Sequence, residues 1–167
     1  MRRLMLVLFL AVMLGGMAFA QGVDIESKNE VDFWEQNVDA TTEWGEWLNE
    51  TVKLYLEKLS ETAETYISPI TEADITELSP DEIMEKVTAN YVDYYKAIQD
   101  ITPPLDLKVY HSKIVELFAE TVKNIKGPIK NEELISKLGA EAAQEMERVL
   151  NQHGVPQKII DEFVNYP

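Results

Sequence analysis

Apolar residues recur at intervals of three and four along most of this chain of 167 residues. That spacing places them on one face of an α-helix, and no run alternates apolar and polar residues as a half-buried strand does. The pattern therefore predicts an all-α protein whose helices share one core. The predicted apolar stripes are Trp44, Leu48, Val52, Tyr55, Leu59, Ala63 and Tyr66; Met84, Val87, Tyr91, Tyr94, Ile98 and Ile101; Leu107, His111, Ile114, Phe118, Val122 and Ile125; and Leu134 or Ile135, Leu138, Ala142, Met146 and Val149.

Residues that begin and end helices separate these stripes. Residues 79–82, Ser-Pro-Asp-Glu, match a capping box with proline in the first turn. Residues 154–156, Gly-Val-Pro, predict a Schellman stop before a short last helix near residues 156–165. Because the four main helices have similar lengths and short connections, we expect an up-and-down four-helix bundle with an additional N-terminal helix and a short C-terminal helix.

The N-terminal part of the exported domain is an acidic segment, residues 21–40, that we expect to be helical. One alternative is a single helix that runs from this segment to residue 67. Thr41, Thr42 and Gly45 have poor helix propensity, so we favour a break or a kink near residues 39–45 and a separate or kinked N-terminal helix that packs on the bundle. The bundle domain is then residues 41–167.

Residues 1–20 have the pattern of a cleavable signal peptide. Arg2 and Arg3 precede an apolar run, and Ala18 and Ala20 supply the small residues of a cleavage site. The run is shorter than the roughly 20 residues that span a bilayer. We therefore expect a secreted or periplasmic protein with no stable membrane insertion after cleavage. Because the chain has no cysteine, disulfides and thiolate sites are excluded.

Acidic residues are concentrated in the first half of the chain. Residues 21–85 carry 18 acidic residues and three lysines, whereas residues 86–167 carry 12 acidic and ten basic residues. Such a surface repels nucleic acids and anionic lipids and attracts cations or a basic protein. The alternative interpretation is that the acidity serves only to keep the protein soluble.

Three tryptophans, Trp34, Trp44 and Trp47, lie in this acidic half. Exposed tryptophans often anchor binding partners, so the three are candidate partner-binding residues. Trp47 lies off the main apolar stripe and is the best candidate for exposure. The alternative is that all three belong to the core.

His111 is the one polar residue on the apolar stripe of the third predicted helix. Counting from the turns places it level with Met146, with Val52 or Tyr55, and with Tyr91, Tyr94 or Tyr95. Three interpretations follow: a core histidine bonded to a tyrosine hydroxyl, an axial haem ligand paired with Met146, or a metal ligand beside carboxylates. His153, at the end of the fourth helix, is expected to interact favourably with the negative end of the helix dipole there.

The sequence contains no glycine-rich phosphate loop, no G-x-S-x-G turn and no H-E-x-x-H pair. We therefore expect a non-enzymatic binding or interaction module that needs no cofactor. The alternative hypothesis is a haem- or metal-binding bundle that uses His111 and Met146.

Overall fold

The computed structural model describes residue 34 and residues 37–67, 76–127 and 131–164. Every regular element in these residues is a helix, which confirms the predicted all-α class. The predicted signal peptide, residues 1–20, and most of the acidic segment, residues 21–40, lie outside the described residues.

A continuous first helix comprises α1 (Glu43–Trp47), a π-helical segment (Leu48–Lys53) and α2 (Leu54–Tyr66). It is followed by α3 (Pro80–Gln99), a 3₁₀ turn (Leu105–Leu107), α4 (Lys108–Lys126), α5 (Glu132–Gln152) and α6 (Gln157–Val164). Each helix from α2 onward packs against the next one in the chain. None of the helices in the described part combines the length and the apolar character needed to cross a membrane.

Two predicted helix boundaries are confirmed in atomic detail. The Glu82 carboxylate accepts hydrogen bonds from the backbone and hydroxyl of Ser79, and Ser79 Oγ accepts one from the Glu82 backbone. At the end of α5, Gly154 has a φ of 73°, and the Val155 N–H donates to the Leu150 carbonyl, as in a Schellman motif. Local side-chain chemistry therefore determines where these helices start and stop.

The chain breaks its helical path just before the first helix, within the predicted window of residues 39–45. Residues 38–42 are not helical, and Thr42 Oγ1 accepts a hydrogen bond from the Gly45 N–H at 3.1 Å. The Asp39 carbonyl oxygen would lie 1.9 Å from a Cβ on Gly45, so only glycine fits here. The break therefore consists of a helix cap at Thr42 and a close approach of the Asp39 backbone to Gly45.

The π-helical segment is a feature that the periodicity did not predict. The buried residues still follow ordinary helical spacing, with Tyr55, Leu56, Leu59 and Ala63 buried after it. Leu54 is 58% exposed and Tyr66 is 41% exposed. The prediction that Tyr66 belongs to the core was therefore wrong.

The core runs through every helix of the described part of the chain. Leu48, Ile98, Leu107 and Phe118 are among its fully buried side chains. Met84 was predicted to lie in this core but is 50% exposed. The apolar stripe of α3 thus extends beyond the point where neighbouring helices cover it.

Candidate functional site

His111 is buried near the start of α4, with 8% of its surface exposed. Its Nδ1 atom lies 2.8 Å from the hydroxyl oxygen of Tyr55 on α2, and the ring also hydrogen-bonds the backbone of Ile98 on α3. The Ile98 carbonyl also accepts a hydrogen bond from the Ile101 N–H at 3.2 Å, so the imidazole is an additional partner for the last turn of α3. One imidazole therefore links three helices, and its bond to a tyrosine hydroxyl is the bond that the interpretation of a core histidine predicted.

Tyrosines dominate the surroundings of His111. Tyr55 packs edge-on against Tyr110, with ring centroids 6.2 Å apart, and Tyr94 packs edge-on against Phe118 at 4.7 Å. Aromatic rings at these separations attract one another through their quadrupoles. The predicted layer of histidine and tyrosine is therefore present, with Tyr55 as the hydrogen-bonding partner.

Burial makes the side chains of this layer neutral. Burial lowers the pKa of His111, and the bond to Ile98 opposes that effect. Burial raises the pKa of Tyr91 to about 12 and raises the pKa of Tyr55 still further. The Tyr91 hydroxyl is buried and has no hydrogen-bond partner in the described part of the chain. The layer therefore holds neutral groups at neutral pH and stabilises the fold by packing and hydrogen bonding.

Met146 belongs to the same core and is 4% exposed. Because the His111 ring already bonds Tyr55 and Ile98, ligation of a haem or metal by His111 would have to break one of these bonds. No group of three or more histidine, aspartate or glutamate side chains in the described residues could hold a metal ion. The alternative of a haem or metal held by His111 and Met146 stays a prediction.

The three tryptophans occupy different environments. Trp34 is 8% exposed, contacts Phe163 edge-on at 6.1 Å, and has the Lys53 ammonium 6.0 Å from its ring centroid. Trp44 and Trp47 are partly buried against the core, so Trp47 does not stand free on the surface as expected. Their proposed role in binding a partner stays a prediction, in which Trp44 and Trp47 offer more surface than Trp34.

Trp47, His153 and Asp106 meet at one end of the molecule. The rings of Trp47 and His153 stack with centroids 3.7 Å apart and planes inclined by 6°, and His153 Nε2 lies 3.4 Å from Asp106 Oδ2. His153 also caps α5, the position predicted for it. This contact joins the first helix, the 3₁₀ turn and α5, and no local sequence pattern predicts it.

Several carboxylates on α4, α5 and α6 are paired with cations, whereas Glu132, Glu133 and Glu147 of α5 form no ion pair within the described residues. The ion pairs include Lys113–Glu141, Lys123–Glu120, Arg148–Glu145 and Lys158–Glu162. On the first helix five exposed glutamates form no ion pair within the described residues; they are Glu43, Glu46, Glu50, Glu57 and Glu61. The first helix therefore carries a concentration of unpaired negative charge on the described surface.

Comparison of the chain with protein-family models, with curated proteins and with solved structures found no match. The function must therefore be argued from the arrangement of this chain's own residues.

Proposed function

We propose that this chain is an exported, non-enzymatic helical-bundle protein that binds a positively charged partner through the acidic surface of its first helix. The observation that carries the proposal is the group of five exposed glutamates on the first helix that form no ion pair within the described residues, whereas both glutamates of α4 are paired with lysines. Export directed by residues 1–20 would place the protein in a secreted or periplasmic compartment. Cleavage after residue 20 would remove Arg2 and Arg3.

The expected up-and-down bundle would suit such a scaffold, because it holds the first helix against a rigid core. Contacts between facing positions support antiparallel packing of α4 and α5: Asp106 lies near His153, Lys113 near Glu141, and Asn124 Oδ1 accepts from the Asn131 N–H at 2.7 Å. Contacts of Ile98 with His111 and of Tyr94 with Phe118 support the same relation between α3 and α4. The contact of Trp34 with Phe163 supports an additional N-terminal helix packed on the bundle.

Electrostatics explains why unpaired surface glutamates favour a basic partner. Like charges on one helix face repel one another, and a cationic surface relieves that repulsion as it binds. The long-range field also accelerates encounter with cations, and salt weakens it over a Debye length of about 10 Å at 0.1 M. Binding through this face should therefore be strongly salt-dependent.

We expect the protein to bind a ten-residue lysine peptide and to lose at least about tenfold in affinity between 20 and 300 mM salt, because screening removes the steering field. Fluorescence anisotropy of a labelled peptide measures the affinity. A variant with Glu50, Glu57 and Glu61 changed to glutamine should bind more weakly. The matched control has Glu116, Glu132 and Glu133 changed to glutamine, so that both variants carry the same net charge.

Two outcomes would contradict the proposal. The first is an affinity that stays constant between low and high salt, because a contact between exposed charges cannot be independent of screening. The second is equal weakening in the two glutamine variants. Equal weakening would mean that only the net charge of the protein matters and that the first helix has no special role.

A further inference from the structure

The first half of α3 is a capped helix that the rest of the described molecule covers only in part, with Val87 packed against the core. None of residues 80–90 is buried, whereas Tyr91, Tyr94 and Ile98 in the second half are. The capping box at Ser79 holds this half in helical form. A preformed helix with a free face is therefore available at this end of α3.

This free face forms one side of an open groove of about 670 Å³. Met84, Ala89 and Val92 provide its apolar surface, and Met84 is 50% exposed. The groove is also lined by Asp81, Glu85, Thr88, Asp93 and Lys126. Its charged lining is three carboxylates and one ammonium, and Asp93 is paired with Lys96 at 3.0 Å. Asp81 and Glu85, which form no ion pair within the described residues, therefore make one edge of the apolar floor negative.

We infer that this groove docks an amphipathic helix from a basic partner protein, an inference that rests on the proposed function and assigns it a second contact surface. A helix with apolar residues at intervals of three and four fits such a floor, and methionine adapts its shape to different side chains. Lysine or arginine beside the apolar stripe of that helix would meet Asp81 and Glu85. A second copy of this chain is a poor occupant, because the chain carries a formal net charge of −15 and would repel itself.

The probe for this inference is an 18-residue amphipathic helical peptide of leucine and lysine, bound to the full protein and followed by anisotropy. The combined Met84→Glu and Glu85→Lys variant should weaken binding at least about tenfold, since it places charge on the floor and reverses charge on the rim. Val109 and Glu116 on α4 are an exposed apolar and an exposed acidic residue outside both proposed surfaces, with Val109 52% exposed. The control variant, Val109→Glu with Glu116→Lys, makes the same change in net charge and should change the affinity by less than about threefold.

Each result separates this inference from the proposed function. If the control variant weakens the amphipathic peptide as much as the groove variant does, the groove inference is overturned and the first-helix proposal survives. If the peptide does not bind while the lysine peptide does, the groove is again overturned. If sedimentation shows that the wild type self-associates and that the Met84→Glu variant does not, the occupant of the groove is a second copy of the chain and the inferred basic partner is overturned. If the wild type binds uncharged lipid vesicles and the same variant does not, the groove contacts a membrane and the inferred basic partner is likewise overturned.

Discussion

Replacing Phe118 with alanine is expected to lower the free energy of unfolding by about 3–5 kcal/mol. Phe118 is 1% exposed, and its ring contacts Tyr94 at 4.7 Å and Tyr91 at 6.3 Å between centroids. The loss combines the transfer of the ring to water with a cavity that the rigid tyrosines cannot fill. Because domains are stable by only about 5–15 kcal/mol, urea denaturation followed by circular dichroism should show a large shift of the midpoint.

The matched control for this prediction is Val109→Ala on the same helix. Val109 is 52% exposed, so its truncation should cost no more than about 0.5 kcal/mol. If Phe118→Ala were no more destabilising than Val109→Ala, the packing of α4 against α3 described above would be wrong.

Phe118 also illustrates which parts of the fold the sequence predicts. Its place in the core follows from the three–four spacing of its helix, and the capping box at Ser79 follows from local hydrogen-bonding chemistry. The π-helical segment does not follow, because its residues fit an α-helical pattern equally well. Separately, Leu56 is a core residue that the predicted stripe did not include, and Tyr66 was wrongly assigned to the core.

The contacts at the candidate sites likewise differ in whether the sequence pattern predicts them. The meeting of His111 and Tyr55 could be predicted to within a helical turn, because helices of similar length between short turns fix which residues lie level with one another. The stack of Trp47 on His153 depends on how distant helix ends approach, which no local pattern encodes. The exposure of Met84 depends on where the neighbouring helices stop covering α3, which hydrophobic spacing does not reveal.

Replacing His111 with leucine is the second large change, with an expected loss of about 2–4 kcal/mol in the free energy of unfolding. The leucine fills most of the space but leaves the buried Tyr55 hydroxyl without its partner and removes one of the partners of the Ile98 backbone. Adding Tyr55→Phe should cost less in the His111→Leu background than in the wild type, since the hydroxyl has already lost its bond. Denaturation of the four proteins of this double-mutant cycle measures the coupling, and additive losses would show that the two side chains do not interact.

The pH dependence of the His111→Leu loss tests the same bond independently. Burial lowers the pKa of His111 below its ordinary value of 6.5, so between these two pKa values the unfolded chain binds more protons than the folded chain. The stability due to neutral His111 is therefore complete above pH 6.5 and declines as the pH falls below it. The difference in stability between wild type and His111→Leu should shrink between pH 7 and pH 5, because leucine cannot titrate. A difference that stays constant over this range would mean that folding does not lower the pKa of His111.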